Sequence, residues 1–229
     1  MGGDQGGPTG DARVLGLDEA GRGSVLGPLV VGAFCCRESR LPELLASGVR
    51  DSKLLSPVRR EEVYARLAPL GERRSLALAP RTIDRYVTVG GLNRLELETF
   101  ARLVREVRPD VAYVDACDPN AERFGRELAV LAGGTVRIVS RHKADRDNPV
   151  VGAASVVAKV RRDAALAELG RRVAERVGTG YPSDPATRAC VERHARDGGR
   201  VPDWMRRSWE TVQRVKRARP ARTLDQFAP

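Results

Sequence analysis

Two apolar runs, Val14-Leu-Gly-Leu17 and Val25 to Cys36, close on a single glycine-rich turn, Asp18-Glu-Ala-Gly-Arg-Gly-Ser24. Short runs rich in Val and Leu on either side of such a turn read as two strands, so the chain opens with a strand hairpin. The pattern then changes to alternation. Ser56-Pro57 starts a helix that carries Val63 and ends near Leu67, ahead of Pro69. Asn93 and Glu96 have the spacing of a capping box, and Leu97, Phe100, Val104 and Val107 follow at helical intervals before Pro109. Val111-Ala-Tyr-Val-Asp115 reads as another strand, ending in an aspartate. Asp118-Pro119 opens a helix that Gly133-Gly134 closes, and Thr135 to Val139 is a further strand. A long helical pattern runs from Val150 to Leu169, a second from Asp184-Pro185 to Gly198-Gly199, and Trp204 to Arg217 is a basic helical segment. The order predicts an α/β domain over 14–199, with a mixed central sheet flanked by helices. A small helical C-terminal extension covers 200–219. Residues 1–13, rich in Gly, read as a flexible leader and 220–229 as a loose tail.

At 229 residues the chain can bury a sizeable core without a partner, so a monomer is expected. No apolar run approaches the ~20 residues that span a bilayer, which excludes a membrane protein. The net charge of +10 favours a polyanion partner, although the basic residues are scattered along the chain and do not by themselves identify one. Cys35, Cys36, Cys117 and Cys190 form no C-x-x-C pair and no secretory leader precedes them, so a reducing cytoplasm fits best. With His142 and His194 the only imidazoles, a His-rich metal site or a Ser-His-Asp mechanism has little to work with. A catalytic centre here would be built from carboxylates.

In open α/β sheets, ligands sit at the carboxyl ends of the strands, so Asp18 and Asp115 are expected in one crevice. Adjacent strand residues point to opposite faces, and Glu19 joins Asp18 only if the strand stops there and Glu19 belongs to the turn. Converging carboxylates repel one another unless a divalent cation neutralises them, and oxygen ligands alone favour Mg2+ or Mn2+. The loop Gly21-Arg-Gly-Ser-Val-Leu-Gly27 is one residue too long for a dinucleotide fingerprint, lacks a Walker lysine and precedes a strand rather than a helix. What remains is a loop whose backbone can approach a ligand closely, beside Arg22, which can fork onto a phosphate.

Seven blocks occur in order: Leu17-Asp-Glu-Ala-Gly-Arg-Gly23, Asp51-Ser-Lys-Leu54, Tyr113-Val-Asp115, His142-Lys-Ala-Asp145, Ala153-Ala-Ser-Val-Val-Ala-Lys159, Gly180-Tyr-Pro-Ser-Asp-Pro185 and Arg207-Ser-Trp209. Together they resemble the ribonuclease HII family, most like its archaeal-type members, from about Val14 to Trp209. The resemblance implies a ribonuclease H-like fold and an endonuclease that hydrolyses the RNA strand of RNA·DNA hybrids. It also implies cutting 5′ to single ribonucleotides in duplex DNA by metal-activated water, leaving 5′-phosphate and 3′-hydroxyl ends, as in ribonucleotide excision repair. Asp18, Glu19, Asp115 and Asp145 would hold the Mn2+ or Mg2+. Gly21, Arg22 and Gly23 would read the ribose 2′-OH, Tyr181 would pack on the adjoining deoxyribose, and Lys53 would touch a phosphate. Ser24 stands where family members usually have Pro, a change expected to loosen the loop. The tail Thr223-Leu-Asp-Gln-Phe227 is similar to a sliding-clamp-binding peptide, with Ala221 in place of the usual Gln and Ala228 in place of a second aromatic. Two rivals share the charge: a binding module that has lost its chemistry, and a resolvase-like DNase. Neither accounts for Gly-Arg-Gly together with Gly-Tyr-Pro-Ser-Asp.

Overall fold

The computed structural model describes residues 11–49, 55–196 and 200–218. Lys53, most of the leader and the tail that carries the clamp-like peptide lie outside them. Strand β1 (Arg13–Ala20) turns into β2 (Leu29–Arg37), and a short helix α1 (Leu41–Ala46) follows. Then come α2 (Pro57–Arg66), β3 (Glu72–Leu78), α3 (Pro80–Val87), α4 (Leu92–Val107) and β4 (Val111–Asp115). The order continues with α5 (Ala121–Leu131), β5 (Arg137–Arg141), the single turn α6 (Ala144–Asp147) and the long α7 (Pro149–Val173). Two helices end it, α8 (Pro185–Arg196) and α9 (Glu210–Arg217). The strands form one mixed sheet in the order β3-β2-β1-β4-β5. The pairs β1–β2 and β2–β3 are antiparallel, and β1–β4 and β4–β5 are parallel.

Period-two alternation divides the sheet between two cores. Leu15 and Leu17 of β1 and Ala112 and Val114 of β4 face α4 and α5, where Phe100, Val104, Phe124 and Leu128 cover them. The rings of Phe100 and Phe124 meet edge to face, with centroids 6.0 Å apart. Val14, Phe34 and Val111 face the other way, onto Val150, Ala153, Ala154 and Val157 of α7. That helix lies unusually close to the sheet. A Cβ on Gly16 would fall 2.0 Å from the Val150 carbonyl oxygen, and one on Gly32 would fall 2.4 Å from that of Ala154. Small residues on both sides set this spacing, and Asn148 caps the helix by accepting from the Val150 N–H at 3.0 Å. A third cluster joins α8 and α9 to Val25 and Leu26 of the β1–β2 connection and to Leu166 of α7.

Several expectations shift. β2 begins at Leu29 rather than Val25, because Gly27 turns at φ +75° and Leu26 instead bridges to Met205. The segment from Trp204 is helical only from Glu210, since Arg206 is drawn fully into the interior before α9 begins. Strand β3, helix α3 and the short α1 add to the elements expected from the sequence. Asn93 and Glu96 do not form a capping box. Gly91 holds the N-cap position of α4, and both side chains turn towards Arg22.

Candidate active site

β1 does not stop at Asp18. Its pairing with β2 continues to Ala20 opposite Val30, so Asp18 and Glu19 are both strand residues and point to opposite faces. Asp18 lies on the α7 face with Asp115, the last residue of β4, and α6 brings Asp145 alongside. One carboxylate oxygen from each of Asp18, Asp115 and Asp145 lies within 4.8 Å of the others. Asp18 and Asp145 are buried, 6% and 2% exposed. Asp115 also receives the Ala144 N–H at 3.3 Å, which ties the start of α6 to the end of β4. Glu19 stands beside this trio rather than in it, on the α4 face, and its Oε2 is buried without a hydrogen-bond partner.

The electrostatics are those of a site with excess negative charge. Burial, with the Asp115 carboxylate adding to it, pushes Asp18 up to about 7, against a hydrogen bond from Ser155 and the charge of Lys159. Lys159 Nζ in turn donates to Ser155 Oγ at 2.7 Å, so the Ala153 to Lys159 block on α7 reaches the acids. Burial and then Asp18 and Glu96 raise Glu19 well above the usual carboxylate range. Three close carboxylates, a fourth carrying an orphaned buried oxygen, and no imidazole or thiolate among them form a hard oxygen donor set. Such a set fits Mg2+ or Mn2+ and would repel itself without a cation.

A crevice of about 920 Å³ opens from Glu19 across Gly21, Arg22 and Gly23 to Lys159, Arg162 and Tyr181. Gly21 sits at φ +89°, and a Cβ there would meet the Pro28 carbonyl at 3.0 Å. A Cβ on Gly23 would lie 3.9 Å from the Tyr181 ring, so the two loops meet edge to edge. Ser24 does not loosen this junction. It is fully buried, its N–H closes a turn onto Gly21 O at 3.1 Å, and its Oγ is 2.7 Å from Leu26 O and 2.9 Å from Gly180 O. Arg162, also buried, donates to Ser24 Oγ at 3.1 Å and to Thr179 O, with its guanidinium 4.6 Å from the centre of the Tyr181 ring.

Arg22 has partners that its motif did not foretell. Arg22 lines the crevice, but its guanidinium is engaged by protein groups. It is paired with Glu96, and a second nitrogen donates to Asn93 Oδ1. Glu96 is fully buried on the apolar face of α4, and burial raises its carboxyl despite the pull of Arg22. Glu96 stands four residues before the buried Phe100 and seven before the buried Leu103, and a carboxylate on that apolar face of the helix was the sequence signal for this pair.

A mixed sheet with acids gathered where β1 and β4 end defines a ribonuclease H-like fold. The family model described as Ribonuclease HII matches residues 15–212. Ribonuclease HII of Methanocella arvoryzae is 43% identical over 203 residues, covering 88% of this chain and 91% of its own. The ribonuclease H2 structure from Pyrococcus horikoshii superposes with a TM-score of 0.83 at 35% identity, covering 90% of this chain and 97% of that one. Ribonuclease HII of Archaeoglobus fulgidus, solved as a complex with PCNA, superposes with a TM-score of 0.79 at 38% identity, covering 93% and 100%. The chain belongs to the ribonuclease HII family, endoribonucleases that cleave the RNA of RNA·DNA hybrids.

Proposed function

We propose that this chain also cuts 5′ to single ribonucleotides embedded in duplex DNA, leaving 5′-phosphate and 3′-hydroxyl ends. In this reading Asp18, Glu19, Asp115 and Asp145 hold Mn2+ or Mg2+. The observation that carries it is the meeting of Gly23 and Tyr181 at the edge of the crevice that Glu19 lines. Only the 2′-OH separates RNA from DNA, and a loop of two glycines brings peptide groups close enough to sense it. An aromatic ring beside that loop offers a flat surface to the next sugar, and a deoxyribose, lacking the hydroxyl, fits closest.

When bound, a divalent cation supplies the positive charge and the water activation that phosphodiester hydrolysis needs. The chain's own residues do the rest. Asp18 and Asp115 are fixed by strand pairing, Ser155 and Lys159 orient Asp18 from α7, and Asp115 anchors the turn that presents Asp145. Gly21 and Gly23 present backbone to the ribose, and Tyr181 is held by Arg162. The test is a duplex with one ribonucleotide, incubated with each metal. Cleavage should occur at that position, and Asp115→Asn should abolish turnover far more than duplex binding. Equal cutting of an all-DNA duplex would refute the specificity.

A clamp partnership is proposed on separate grounds. The A. fulgidus relative was solved with PCNA, and the peptide Thr223 to Phe227 is the segment here that fits such a role. Deleting 220–229 should abolish co-elution with a sliding clamp, and unchanged co-elution would remove the proposal.

A further inference from the structure

We propose that Glu96 is a positioning residue for the Gly21-Arg22-Gly23 loop, and that the Arg22 side chain is the tether through which it acts rather than a ligand for phosphate. The proposal rests on the reading of that loop as the ribose sensor.

Arg22 is gripped at both ends. Its guanidinium contacts Glu96 and Asn93, which are one turn apart on α4. The Asn93 amide is itself fixed, because its Nδ2 donates to Asp118 Oδ2 at 2.9 Å. Asp118 is held in place by Arg123 Nη2 at 2.8 and 2.7 Å and by the Asn120 N–H at 2.8 Å. At the other end, the Arg22 carbonyl accepts from Arg206 Nη1 at 2.9 Å. Arg206 is fully buried, donates to Gly27 O at 3.2 Å and stacks its guanidinium 4.9 Å from the Trp209 ring. The two glycines flanking Arg22 therefore hang between α4 and the C-terminal segment.

Energetics oppose the alternative. Glu96 has no exposed side-chain surface, whereas Arg22 keeps a third of its own. Swinging the guanidinium out to a phosphate would take the directly paired cation from a buried carboxylate that already lies near Glu19, a strongly unfavourable change. Holding the loop costs nothing further, and a small displacement of a positioning group is enough to slow a reaction about a hundredfold.

The experiment uses the full chain with Glu96→Gln, Arg22→Met, the double variant and Arg22→Lys. Each is assayed on a duplex with one ribonucleotide and for binding to an all-DNA duplex of the same sequence. Amide exchange is followed over residues 20–26. Each of the first two changes should lower kcat about ten- to a hundredfold, with KM and all-DNA affinity moving by less than about twofold. Both should speed exchange in the loop, the double variant should be no worse than the poorer single one, and Arg22→Lys should recover much of the rate. Tighter all-DNA binding by Glu96→Gln, or weaker binding by Arg22→Met, would mark Arg22 as a phosphate ligand and overturn the proposal. So would additive losses or unchanged exchange. If Glu96→Gln fails to fold, Asn93→Ala removes the second contact and carries the same prediction. Failure of the unaltered protein to cut the one-ribonucleotide duplex would count against the sensor reading, while loop exchange and all-DNA binding would still decide the tether.

Discussion

Replacing Asp18 by Asn should make the cation-free protein more stable while removing its activity. Burial and Asp115 raise this carboxyl from 3.8 to about 7. Between those values the folded protein keeps a proton that the unfolded chain releases. The stability contributed by the protonated form is therefore fully present below about pH 4 and is lost as pH rises through 7. A difference of about three pKa units at 1.36 kcal/mol each gives about 4 kcal/mol as the upper limit of the loss. Asn cannot ionise, still accepts from the Glu19 N–H that now bonds Asp18 Oδ1 at 2.8 Å, and escapes this cost. Denaturant unfolding in the presence of a chelator should thus show little difference between the two proteins near pH 4. At pH 8 the variant should be ahead by up to about 4 kcal/mol, or roughly 10 °C in Tm. Adding Mn2+ or Mg2+ should close the gap from the wild-type side. A variant no more stable than wild type at pH 8, or a gap of equal size at both pH values, would refute the reasoning.

Tyr181→Ala should mainly weaken cleavage at a single embedded ribonucleotide, whereas Asp18→Asn should remove activity on every substrate; parallel losses on hybrids and single ribonucleotides would refute the division. Gly16→Ala puts a methyl 2.0 Å from the Val150 carbonyl and should destabilise by about 3 kcal/mol or more, read as a fall in the urea midpoint at constant slope. An unchanged midpoint would mean that α7 can lift from the sheet at little cost.

The strands that carry the acids were legible because each is a short apolar run broken by a charge: Leu17 gives way to Asp18 and Val114 to Asp115. The convergence of Asp145 was legible only through the family resemblance and not from local pattern, since α6 is a single turn whose place depends on a contact with Asp115 some thirty residues away in sequence. Edge strand β3 escaped notice because its residues, Glu72 to Leu78, are half exposed and mostly polar, which is what an outer strand paired on one side requires. The capping-box spacing of Asn93 and Glu96 was real but served another end. A glycine two residues earlier took the cap, which left both side chains for Arg22. Ser24 shows the same limit. Alone it reads as a weak substitute in a loop, and only the fold reveals that Gly180 and Arg162 lie against its hydroxyl.

Helix α7 touches both halves of the site. Ser155 and Lys159 meet Asp18, and Arg162 meets Ser24, Thr179 and the Tyr181 ring. The distance from Ser155 to Arg162 is seven residues, about two turns or roughly 10 Å along the axis. Because that span is helical, it cannot be lengthened gradually. One inserted residue would rotate everything beyond it by about 100° and swing Arg162 away from both loops. Surface connections tolerate added or lost residues, but the helical stretch between 155 and 162 cannot change in number without uncoupling the two halves of the site.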